Sequence, residues 1–277
     1  MNNFRTRFSG VTIVAALAAE RKILAAREKR LQKEVAGRKA LSGPSSAEAT
    51  FLQSGMGCAA ARETALRAAA GTIIGNIGVS GALAPDVMPG TVILADAVYA
   101  RGHRPAFMQA VYRPNAQLVK MLESVLMEQG IGYRRGRILC VDEPLLTRAD
   151  KAKAHDHSGA LAVDMESAGV AEAALQMGLP FFCLRVICDP AQRGFEEELL
   201  CGVDDRGNSR PLSLIAAVCR RPRLVGGLLR MAGDFSQAAA GMRRTWDAIR
   251  QPLFDFVSAG YFAGSAARPQ HSNDQGR

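Results

Sequence analysis

The chain has 277 residues, 48% of them hydrophobic and 22% charged, which excludes a disordered or collagen-like polypeptide. Its length fits one large domain or two small ones. The net charge of +9 is unevenly spread: residues 1–43 carry ten basic and three acidic groups, 44–205 fourteen and nineteen, and 206–250 nine and two.

An acidic middle between two basic flanks admits a nucleic-acid partner, an anionic membrane surface, or an Arg-rich surface with no such partner. One Trp and 6% aromatic residues offer few stacking platforms, which argues against nucleic acid. The six cysteines, at positions 58, 140, 183, 188, 201 and 219, form no CxxC pair and no zinc pattern. Free thiols and a reducing cytoplasm are expected.

Arg5 and Arg7 precede an apolar run over 11–19. This is either a short export signal or a first buried strand, and the thiols favour the strand, over 11–16. Helical composition follows over 20–40, then a short strand at 50–53 and an Ala-rich helix at 58–70. Strands are predicted at 72–79 and 91–100, the second entered through Pro89-Gly90. Leu118, Met121, Leu122, Val125 and Leu126 share one face of a helix over 116–129. A strand at 137–141, a helix at 162–177 carrying Glu166 and a strand at 181–188 complete the alternation. That order means an α/β sheet. The longest uncharged stretch, 68–85, is broken by glycines and does not read as a membrane span. Beyond Pro190, 194–211 is polar and loop-like, 212–256 is helical and Arg-rich, and the tail from 264 is expected to be disordered.

Two glycine-rich segments suggest close backbone approach to a ligand. Gly55-Met56-Gly57 with Ala60 matches GxGxxA. The acidic residue that a dinucleotide site places at the end of the next strand is missing, so a plain tight turn competes with that reading. Gly75 to Gly81 reads as a second glycine turn at a strand end, again with or without a ligand. Three carboxylates stand at the ends of apolar elements: Glu20, Glu166 and Asp189. Each alone is more often a cap or a surface acid. Together with two glycine segments they suggest a site at the carboxyl edge of the sheet.

On Gln53 to Gly57, Gly75 to Leu83, Val163-Asp164-Met165-Glu166-Ser167-Ala168 and Arg185 to Asp189, the chain resembles the purine nucleoside phosphorylase and nucleosidase superfamily over about residues 10–192. Asp189-Pro190, the segment 195–211 and the Arg-rich C-terminus are similar to its hopanoid-associated phosphorylase branch. The resemblance implies a three-layer α/β/α fold with a central mixed sheet over 1–192. A helical C-terminal extension over 193–263 would pack on the same domain, before a tail at 264–277. It implies cleavage of an N-ribosidic bond, with adenine released from adenosylhopane in the branch. It implies no metal or organic cofactor, and a homodimer.

By the same resemblance Asp189 is the acid toward purine N7 and Glu20 activates the attacking water. Glu166 binds the ribose hydroxyls beside Asp164, Met165 packs on the sugar, and Gly78 and Val79 line the nucleophile site. Leu145 stands in the loop where relatives often place an aromatic against the base. Asn76 occupies a position where phosphorylases carry Arg, which favours hydrolysis. Arg185 is set aside as a strand residue. The rival readings are a phosphorylase or a methylthioadenosine/S-adenosylhomocysteine nucleosidase with a soluble substrate, and a nonenzymatic nucleoside- or lipid-binding protein. Leucines interleaved with nine Arg over 206–250 suit either a membrane surface that delivers a lipid substrate or a helix pair packed on the domain.

Overall fold

The computed structural model describes residues 10–38, 48–68, 72–101, 108–194 and 196–259. The expected tail at 264–277 and the Arg5 and Arg7 flank lie outside them. The elements in chain order are β1 (Gly10–Ala15), α1 (Ala18–Arg38), β2 (Glu48–Gln53), α2 (Cys58–Ala65), β3 (Thr72–Ala82), β4 (Val92–Arg101), β5 (Met108–Tyr112) and α3 (Ala116–Glu128). There follow β6 (Tyr133–Cys140), α4 (Arg148–Ser158), β7 (Ala162–Asp164), α5 (Ser167–Met177), β8 (Phe181–Asp189), a 3-10 turn (Glu197–Gly202), α6 (Pro211–Arg220) and α7 (Leu224–Ala259).

The eight strands form one mixed sheet in the order β2-β1-β3-β7-β6-β4-β5. Strand β8 pairs parallel with β3 and antiparallel with β4, so β3, β7, β6, β4 and β8 close into a ring. Closure leaves those strands with few free edges. Val11, Ile13, Ile73, Ile77, Phe182 and Leu184 face one core, which is capped by α1, α3 and α7. Val14, Ile74, Ile93, Cys183 and Ile187 face the other, under α2 and α5. The alternation of side chains along each strand gives the sheet these two apolar faces, and the helices cover both.

Several expectations are corrected. Residues 75–81 form no turn, because β3 runs unbroken to Ala82 with a bulge between Ser80 and Gly81. The helix expected over 162–177 is a short strand, β7, a two-residue link and then α5. The apolar run had hidden the break. Strand β6 begins at Tyr133 rather than 137, its polar half being a sheet edge that reads as loop. Strand β5 and helix α4 were not anticipated. The stretch 194–211 contains a 3-10 turn, and 212–256 splits into α6 and α7 at Pro222.

Helix α7 is integral to the fold. Trp246 is fully buried, packs edge-on to Phe51 at 5.3 Å and donates to Glu28 of α1 at 3.1 Å. Arg250 makes two bonds to the same carboxylate, at 2.5 and 2.8 Å.

Candidate active site

Strand β3 is the floor of the site, and glycine is what allows side chains to crowd onto it. A Cβ on Gly78 would stand 2.5 Å from Arg185 Nη1 and 2.8 Å from Glu20 Oε1. A Cβ on Gly81 would stand 3.5 Å from Asp189 Oδ2. Three residues of strand separate these approaches, about 10 Å.

Glu20 reaches Gly78 because only Ala16 and Leu17 separate β1 from α1, which places it in the first helical turn. Its Oε2 accepts from the Leu17 amide at 2.8 Å and its Oε1 from the Val79 amide at 2.7 Å. The carboxyl is 1% exposed. Burial lifts its pKa, against the pull of Arg185 and of the backbone amides.

Arg185, set aside in the sequence as a strand residue, is the hub of the cluster. It is fully buried on β8. Its Nε donates to Asp164 Oδ2 at 2.6 Å, and its Nη2 to Asn76 Oδ1 at 2.7 Å and to Glu166 Oε2 at 3.5 Å. Its Nη1 has no hydrogen-bond partner among the described residues and lies beside Glu20. Ser80 Oγ is likewise buried without a partner. Asn76, Gly78 and Ser80 alternate onto one face of β3, and it is at Gly78 that Arg185 Nη1 and the Glu20 carboxylate both approach that face. The signal missed was a charge within an otherwise apolar strand, Phe181 to Cys188, which is rare unless the charge is paired.

Glu166 fills the link between β7 and α5. Its Oε1 accepts from the Gly57 amide at 3.2 Å. The amide that a dinucleotide loop would offer to phosphate is thus directed at a carboxylate. Gly55 and Gly57 both hold left-handed backbone, φ +82° and +98°, as this turn requires. Burial is the main cause that pushes Glu166 up to about 7, with Asp164 and Glu20 adding to it and Arg185 opposing. Asp164 is occupied at both oxygens: Oδ1 accepts from the Ser167 amide and hydroxyl at 3.2 and 2.7 Å, and Oδ2 from Arg185. Asn76 is fully buried and donates to Val14 O at 3.0 Å. Met165 and Leu145 pack together on a small apolar cluster with Leu83, Tyr99, Leu139 and Val163.

Asp189 ends β8. Its Oδ2 accepts from Lys151 Nζ at 2.6 Å. Burial raises its pKa, and Lys151 and Arg193 counter this. The loop 204–208 lies over the opposite corner. Asp205 O accepts from the Met56 amide at 3.1 Å, Gly207 O from the Ala18 amide at 2.9 Å, and Arg206 O from Gln53 Nε2 at 2.7 Å. Glu20, Asn76, Gly78, Val79, Asp164 and Glu166 therefore gather around Arg185, and Asp189 of β8 pairs with Gly81 further along β3, while Met165 and Leu145 belong to the apolar cluster. Among the described residues no group of three or more His, Cys, Asp or Glu could hold a metal ion.

Residues 11–219 match the family model described as Phosphorylase superfamily. The chain belongs to the phosphorylase superfamily. The futalosine hydrolase of Streptomyces coelicolor is 32% identical over 43% of this chain, which spans about half (54%) of that relative. The 5'-methylthioadenosine/S-adenosylhomocysteine nucleosidase of Actinobacillus succinogenes is 28% identical over 68% of this chain and 91% of its own length. Among solved structures, the nucleosidase of the same kind from Neisseria meningitidis, in complex with methylthio-immucillin-A, superposes with a TM-score of 0.63 at 16% identity. That match covers 88% of this chain and all of the other. Futalosine hydrolase of Helicobacter pylori superposes with a TM-score of 0.58 at 19% identity, over 86% and 97% of the two chains. These structures share the fold of a phosphorylase-superfamily nucleosidase, a mixed sheet with helices on both sides.

Proposed function

We propose that this superfamily member cleaves the N-ribosidic bond of an adenine nucleoside with water. The observation that carries the reading is the approach of Glu20 and the unpartnered Arg185 Nη1 to Gly78 of β3, with Glu166 bonded to Arg185 and Asp189 at the end of β8 opposite Gly81. Asp189, protonated, gives its proton to purine N7 as the C1'–N9 bond breaks and its electron pair passes into the base. Glu166 accepts the ribose hydroxyls and stabilises the oxocarbenium-like sugar. Glu20 takes a proton from a water that Arg185 Nη1 helps to hold, and the hydroxyl adds to C1'. Asp164 and Asn76 hold Arg185 in place.

Phosphorolysis fits these residues less well. A phosphate site needs uncompensated positive charge. Arg185 is instead surrounded by Asp164 and Glu166, with Glu20 adjacent, so a phosphate would meet three carboxylates around one cation.

For the substrate, we propose a lipid-linked adenosine, adenosylhopane, taken from an anionic membrane surface on the cytoplasmic side. Supporting this, Leu212, Val225 and Leu229 stand exposed at 80%, 43% and 68% on α6 and the start of α7, among exposed Arg210, Arg220, Arg221, Arg223 and Arg230. Helix α6 directly follows the loop that lies over Glu20 and Gly55. Among the described residues no helix is long and apolar enough to cross a membrane. The test is adenine release from adenosylhopane in anionic vesicles and from methylthioadenosine in solution, each with and without phosphate. Phosphate-independent release from the lipid is expected. Release only from methylthioadenosine overturns the lipid reading, and a strict phosphate requirement overturns hydrolysis.

A further inference from the structure

Lys151 sits on α4, an element in which the sequence shows nothing unusual, yet it is fully buried. A buried ammonium is costly unless every proton is engaged. Here all three are: Nζ donates to Asp189 Oδ2 at 2.6 Å, to Arg193 O at 2.9 Å and to Pro190 O at 3.1 Å. Its aim is the end of β8 and the turn that follows. The charged groups around Asp189 are few. Arg193 of the same loop pairs with Asp234 of α7 at 2.6 Å, so these two largely cancel, and the neighbouring Cys188 is a thiol. Lys151 is thus the cation that acts on Asp189 directly.

We propose that Lys151 is the positioning residue for departure of the base: it clamps Oδ2 of Asp189, leaves Oδ1 for purine N7, and stabilises the carboxylate formed as the proton leaves. This rests on the N-ribosidic reading above. In the step, the Asp189 O–H bond breaks and an N7–H bond forms, while the C1'–N9 electron pair enters the purine. The new carboxylate faces an ammonium whose own protons do not move. A neutral residue at 151 would leave that carboxylate half-buried without a counter-charge.

The experiment compares Lys151→Gln and Lys151→Arg, each in the wild-type and the Asp189→Asn background, by kcat and KM for adenine release across pH and by thermal unfolding. Lys151→Gln is expected to lower kcat by about 10- to 100-fold with KM changed less than about threefold. Removing a positive charge favours the protonated acid, so the alkaline limb moves up by about one pH unit. Lys151→Arg keeps the charge and leaves the limb in place. In the Asp189→Asn background Lys151→Gln adds no further loss of kcat, whereas a purely structural lysine would cost the same in both backgrounds. An unmoved limb, or equal losses in the two backgrounds, overturns the proposal. Should Lys151→Gln fail to fold, Lys151→Met, close to lysine in length, takes its place in the same comparisons. Wild-type protein that releases base while the limb ignores Lys151 contradicts this role alone. Wild-type protein that releases no base contradicts the activity and this role with it.

Discussion

At Glu166 one carboxylate meets a cation, two like charges and the cost of burial, and burial dominates. A carboxyl pushed from its ordinary 4.5 up to about 7 favours the native state when protonated. The stability this contributes is complete below the ordinary value and is lost as pH rises through about 7. Glu166→Gln is neutral at every pH. The expected outcome is that the wild type loses stability relative to the variant between about pH 4.5 and about 7. Urea midpoints measured at both ends of that window check it, and parallel curves would contradict the assigned burial. That destabilisation falls at neutral pH, where the ionised form is the one the proposed reaction needs beside a cationic sugar. Glu20, Glu166 and Asp189 were legible in the sequence because acids at the edges of apolar elements stand out. Arg185 and Lys151 were not. Their meaning lies in which distant carboxylates they meet, and only the closed sheet brings Asn76, Asp164 and Asp189 to them.

Among the elements, β3 shows why local patterns misled. Glycines 75, 78 and 81 look like a turn, yet they keep the strand bare where Phe182, then Glu20 and Arg185, then Asp189 approach it. The alternation of strands and helices was readable in outline, without β5, α4 and β7, and the ring closed through β8 was not, since pairing partners leave no trace in a single sequence. Helix α7 makes the same point. Its Arg residues suggested a surface, but its other face carries Met242, Trp246, Ile249 and Leu253 into the main core. Trp246→Ala is expected to cost about 3–5 kcal/mol in denaturant unfolding, because it opens a cavity and strips Glu28 of a donor. A loss under about 1 kcal/mol would mean that α7 is not integral to the domain.

Over the whole molecule, the two basic flanks of the sequence come together. Helices α1 and α7 pack side by side, joined by Arg27–Asp247 and by Glu28 with Arg250. Glu28 and Asp247 are engaged in these contacts, while Lys22, Lys29, Lys33, Arg243 and Arg244 stay exposed. The charge asymmetry therefore becomes a basic face on α1 and α7, apart from the buried acids around Arg185. Water is the nucleophile of the proposed reaction. The most direct test is a single-turnover reaction in water labelled with heavy oxygen, without phosphate, followed by mass analysis of the released sugar. One labelled oxygen on C1' is the predicted result. Release that waits for phosphate and yields the sugar 1-phosphate without label would contradict it.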